Sequence, residues 1–165
     1  MAHTETEKLH GAHPVATDAR LAVGEQLQEL LVELIDLSLQ AKQAHWNVIG
    51  GRFRALHEQT DELAAAARGW SDLVAERLLA LGVAADGRAA TVARDSRLSP
   101  FPEGRVEDGR VVELMGERLL ETVQSARRRL GALGERDLVS QDLVAEIIAG
   151  LEKHLWMLQA TASRP

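Results

Sequence analysis

Cysteine is absent from the 165-residue chain, which excludes a disulfide framework, a thiolate zinc site, a cysteine nucleophile and an iron–sulfur cluster. Proline is scarce. Pro14, Pro100, Pro102 and Pro165 are the only four, so nothing between residues 15 and 99 forces a helix to stop. No uncharged run approaches the ~20 residues of a membrane span. The first twenty residues (MAHTETEKLHGAHPVATDAR) hold no apolar stretch of the kind a signal peptide needs, so the expectation is a soluble, cytoplasmic protein without membrane contact. Positive charge is also in deficit, with 19 Lys and Arg against 25 Asp and Glu and a net charge of −6. That balance argues against a nucleic-acid binder that depends on net positive charge.

What is present is a globular composition, 45% hydrophobic and 27% charged, in a length that buries roughly 70% of its surface as one domain. Asp18 reads as a helix N-cap. After it Val23, Leu27, Leu30, Leu31, Leu34, Ser38, Ala41 and His45 recur at three- and four-residue steps. Gly50-Gly51 ends this first helix. A second runs from about Arg52 to Leu81, with Phe53, Leu56, Leu63, Ala67, Trp70, Val74 and Leu78 on one stripe and Gly82 as its stop. Periodicity lapses from Gly82 to Gly104, a long connection with room for one short helix. It returns from Val111 to Leu133, breaks near Gly134 and resumes from Ser140 to Leu158. Alternating strand patterns are absent. The expectation is an all-α, ferritin-like four-helix bundle over residues 18–162, with a long crossover between its second and third helices. Residues 1–17 read as a flexible polar tail and 163–165 as a short C-terminal one.

The second helix carries His57-x-x-x-Asp61 and Asp72-x-x-x-Glu76. At about 100° per residue, Asp61, Asp72 and Glu76 lie about 40°, 60° and 100° from His57, on a face apart from the apolar stripe. Imidazole and carboxylate without thiolate suit iron, manganese or zinc. One helix cannot gather all four, because His57 and Glu76 stand about 28 Å apart along it. The spacing offers a solution. His57 and Glu76 are equidistant from the point between residues 66 and 67, and so are Asp61 and Asp72. An antiparallel second copy crossing there would bring His57 and Asp61 of one chain beside Glu76 and Asp72 of the other, making two equivalent sites. Ala64, Ala65, Ala66, Ala67 and Gly69 would let the helices approach. The competing reading is a solvated helix face on which such i,i+4 pairs arise by chance.

The segment KQAHWNVIGGRFRALHEQTDELAAAARGWSDLVAERLLALG (Lys42 to Gly82) tips the balance. With its KQAHWN run, the HExxD motif after it and the D-x-x-x-ER-x-x-x-LG ending, it resembles the signature region of the Dps mini-ferritins. The likeness extends more loosely over residues 21–162. It implies a four-helix bundle with a short helix in the crossover, assembled from two-fold dimers into a hollow dodecamer. It also implies a ferroxidase that oxidises Fe(II), with hydrogen peroxide favoured over dioxygen, and stores Fe(III) mineral inside. By position the catalytic, iron-binding residues would be His45, His57 and Asp61 of one subunit with Asp72 and Glu76 of its neighbour. Trp46 and Trp156 match tryptophans near that centre, although packing explains them equally well.

Glu58 and Glu62 are candidates for mineral nucleation, with a solvated surface as the equal alternative; the resemblance places Asp142 at an acidic pore, although a carboxylate at a helix start also simply offsets the dipole. His3, His10 and His13 are candidate metal ligands, against the simpler reading of a disordered tail. A classical ferritin is disfavoured, since the Glu-x-x-His string occurs only once, at Glu7 to His10. The second function weighed is a nucleoid-associated protein that condenses DNA. Residues 1–20 set Lys8 and Arg20 against Glu5, Glu7 and Asp18, and the last six residues add only Arg164. Arg127, Arg128 and Arg129 are the one basic cluster. The expectation is therefore weak or absent DNA binding, with DNA protected by removal of iron and peroxide.

Overall fold

The computed structural model describes residues 13–162. Its elements are α1 (Thr17–Asn47), β1 (Val48–Ile49), α2 (Phe53–Ala80), α3 (Ala89–Asp95), β2 (Val106–Glu107), α4 (Asp108–Gly134) and α5 (Leu138–Ala162). The four-helix bundle with a short helix in the crossover is present as expected. α1 packs chiefly on α2 and α4 on α5, giving two helical hairpins.

Three helix starts differ from the sequence reading. Ala16, not Asp18, precedes α1. Asp18 sits in the first turn, where its carboxylate faces the positive end of the helix dipole. α4 begins at Asp108, ahead of the expected Val111. α5 begins at Leu138, two residues before the expected Ser140, because Asp137 caps it by accepting the Ser140 backbone N–H at 3.3 Å. Burial opposes the charge on Asp137, yet hydrogen bonds from Ser140 and Arg77 hold its carboxyl below the usual range. Gly82 stops α2 as read, with φ 73°. Its N–H donates to Leu79 O and the Val83 N–H to Leu78 O, both at 2.9 Å, a Schellman closure that needs the left-handed conformation.

One element was not foreseen. Val48–Ile49 pairs in parallel with Val106–Glu107, a contact too short to leave an alternating pattern in the sequence. It sets the starts of α2 and α4 side by side, so those two helices run parallel, as a long crossover requires. Arg52 locks the same corner. Its backbone N–H and Nη2 reach the Asp108 carboxylate at 2.9 and 3.0 Å, while Nη1 reaches Thr161 O at 3.0 Å. Gly50, at φ 120°, lets the chain pass: a Cβ there would stand 2.8 Å from Asp108 Cγ.

The core follows the predicted stripes. Leu27, Leu30 and Leu34 of α1, Leu56 and Leu78 of α2, Met115 and Leu119 of α4, and Ile147 and Leu151 of α5 are fully buried. Among the expected stripe members, Phe53 is exposed, and Trp70 and His45 are only partly buried. Charge is buried as well. Arg129 of α4 meets Glu33 of α1 through Nη2–Oε1 at 2.9 Å and Nη1–Oε2 at 3.1 Å, and Ser125 also donates to Glu33. No helix among the described residues is long and apolar enough to cross a membrane.

Candidate metal centre

His45 and His57 come together where α1 ends and α2 begins. Their rings stack, with centroids 3.6 Å apart and planes inclined by 19°. Each Nδ1 lies on the other's backbone carbonyl, His45 Nδ1 on His57 O at 2.7 Å and His57 Nδ1 on His45 O at 2.8 Å. A carbonyl oxygen only accepts, so in both rings Nδ1 carries a proton, and in the neutral imidazole that puts the lone pair on Nε2. The reciprocal bonds thus leave two Nε2 atoms for a metal, with each ring held in place by backbone. Phe53 also stacks on His57, with ring centroids 5.1 Å apart.

Asp61 stands one turn after His57. It makes an ion pair with Lys42, which lies one turn before His45 on α1. That ammonium, with smaller contributions from the two histidines, holds the Asp61 carboxyl below the usual range. Lys42 was visible in the KQAHWN run, but its role was not read. Its three-residue spacing to His45, which places both on one helix face, was the available signal.

Asp72 and Glu76 lie farther along α2, exposed to solvent. Among the described residues no three His, Asp or Glu side chains gather within one chain. The structure brings His45 and His57 into contact, with Asp61 one turn further along α2, and leaves Asp72 and Glu76 toward the other end of that helix. Two open hollows mark this face. One, of about 400 Å³, is bordered by Asp72, Arg68 and Gly69. The other, of about 460 Å³, is bordered by Lys42, Asp61, Trp46, Ala64 and Arg68.

The remaining candidates fall elsewhere. Trp46 and Trp156 are 68% and 65% exposed, so neither is packed in this chain's core. Glu58 pairs with Arg54 at 3.0 Å, while Glu62 and Asp142 are exposed. His13 places Nε2 2.9 Å from Ala80 O. His3 and His10 lie outside the described residues.

The ferritin-like domain family model matches residues 24–164. The DNA protection during starvation protein of Mycolicibacterium smegmatis is 31% identical over 138 residues, which span 84% of this chain and 75% of that protein. The chain belongs to the Dps family of ferritin-like proteins. DNA protection during starvation protein 2 of Deinococcus radiodurans is 36% identical over 134 residues, 81% of this chain but only 56% of that longer relative. The chain also superimposes on the structure of Dps from Microbacterium arborescens in its high iron form. That match has a TM-score of 0.86, 31% identity and coverage of 93% of this chain and 98% of the other. The tetragonal form of Mycobacterium smegmatis Dps gives 0.90, with 27% identity over 95% of each chain.

Proposed function

We propose that this Dps-family protein is a ferroxidase that oxidises Fe(II), with hydrogen peroxide as the preferred oxidant, and stores Fe(III) as mineral within a hollow dodecamer. The single observation that carries the reading is the stacked His45–His57 pair, each ring held through Nδ1 by the other's backbone carbonyl so that Nε2 is left for a metal. The ligand set is completed by Asp72 and Glu76 of the partner subunit, so each two-fold dimer holds two centres. Anionic Asp72 and Glu76 take the first iron with neutral His45; His57 and Asp61 hold the second. Binding there requires Asp61 to exchange Lys42 for the metal. Two Fe(II) ions each give up one electron, the O–O bond of peroxide breaks, and two protons complete two waters. Glu58 and Glu62 are proposed to nucleate mineral, and Asp142 to line an acidic iron entry pore. Removal of iron and peroxide in the cytoplasm then spares DNA without requiring the protein to bind it.

Subunit mixing tests both the chemistry and its sharing. His45→Ala/His57→Ala and Asp72→Ala/Glu76→Ala assemblies are each expected to lose the peroxide-driven absorbance rise on anaerobic Fe(II) addition. After dissociation and reassembly together, activity returns, because a mixed dimer retains one intact centre. No recovery despite demonstrated subunit exchange would refute the shared centre.

A further inference from the structure

Among the described residues, Arg68 is a cation without an ion pair on the face that carries the candidate ligands. It lies on α2 between Asp61 and Asp72, four residues before the latter. At about 100° per residue it projects about 20° from His57, inside the arc that carries His57, Asp61, Asp72 and Glu76. Its side chain borders both hollows, one beside Asp61 and Lys42 and the other beside Asp72. The other side chain of this arc between the two aspartates is Ala65. Arg68 is nevertheless exposed and makes no ion pair among the described residues, whereas Lys42 is closed onto Asp61 Oδ1. Asp61 Oδ2 likewise has no partner among them.

We propose that Arg68 is a positioning residue of the shared centre. In the metal-free dimer its guanidinium bridges Asp72 of its own chain to Asp61 of the partner subunit, and a divalent cation replaces it. This role rests on the antiparallel α2 pairing proposed above. With the two helices crossing between residues 66 and 67, Asp72 lies level with Asp61 of the partner subunit. Arg68 is about 6 Å closer to the axis along α2, within reach of an extended guanidinium. Two facing carboxylates repel each other when no cation separates them, and a planar fork of N–H donors can serve one on each side. Lys42 cannot take this part, since it approaches Asp61 from α1 of the same chain and leaves Oδ2 open. Arg68 would thus hold the two halves of the ligand set in register and yield its place to the metal.

A bridging cation has opposite effects on the two states. Its loss weakens the metal-free assembly and removes a competitor for the metal. Arg68→Gln, Arg68→Lys and the unaltered protein are compared as assembled oligomers by thermal melting and by calorimetric titration with Zn(II), a redox-inert probe. Metal-free Arg68→Gln is expected to melt lower, with the gap closing at saturating Zn(II). Zn(II) is expected to bind this variant about tenfold tighter, equivalent to ~1.4 kcal/mol. Arg68→Lys should fall between the two. An unchanged Zn(II) isotherm, or a melting gap that persists at saturation, would overturn the role of Arg68 while leaving the metal centre standing. Failure of Zn(II) to bind even the unaltered protein would overturn the metal centre, and this role with it.

Discussion

Backbone carbonyls, rather than other side chains, orient the two imidazoles. His45 and His57 each give their Nδ1 proton to the other's peptide oxygen, so ring orientation follows from where α1 ends and α2 begins. The corner that sets this junction is tied by Asp108. The Arg52 side chain, and then the Arg52 backbone N–H, hold the Asp108 carboxyl at about 2. A carboxyl lowered in the folded state contributes stability that is fully present above its ordinary value near 4 and lost as pH falls through its folded value. Asp108→Asn should therefore melt below the unaltered protein at pH 7, with the difference shrinking between about pH 4 and about pH 2. Circular dichroism melts across that range check it; a pH-independent difference would mean that the carboxylate charge is not what ties the corner.

At the scale of elements, the two hairpins are joined by contacts that no single helix foretells. α2 and α5 approach closely at Gly150, where a Cβ would lie 2.3 Å from Cζ2 of Trp70. Trp70 also meets His154 of α5 edge-on, with ring centroids 6.0 Å apart. Gly150→Ala is expected to force the indole aside and cost ~1–3 kcal/mol, the usual penalty of overpacking. Chemical unfolding measures the loss, and the tryptophan emission of the folded state should shift. Unchanged stability would show that Trp70 moves freely. The crossover is secured differently, by buried Arg118, which donates to Ser99 O at 3.1 Å and Pro100 O at 2.9 Å. Gln28 also brackets the Asp86 backbone from α1.

For the whole molecule, surface character bears on assembly and on DNA. Leu138, Trp46 and Trp156 remain 70%, 68% and 65% exposed in the single chain, apolar area that subunit contacts in a shell would cover. The one basic cluster does not form a patch. Arg129 is buried on Glu33 and Arg127 pairs with Glu152, which leaves Arg128 exposed. With a net charge of −6 per chain, the assembly is expected to repel a polyanion. Plasmid should migrate unretarded with the protein at pH 7.5 and moderate salt. Tight, salt-resistant retardation in a gel shift would contradict this and favour the DNA-condensing function instead.

Helix number, the bundle class and the core stripes were legible in the sequence because a 3.6-residue period records which side of each helix is buried. Asp137 and the 48–49/106–107 strand pair escaped notice because a cap and a two-residue ladder depend on neighbours, not on period. For the candidate centre, the sequence by itself determined which residue types share one face of α2, since helical geometry converts spacing into direction. Tertiary structure alone decided that the His45 and His57 rings stack with Nε2 free, that Lys42 holds Asp61, and that Arg68 stands unpaired between the acids. Those facts come from the docking of α1 against α2, which brings together side chains whose contacts local periodicity does not encode.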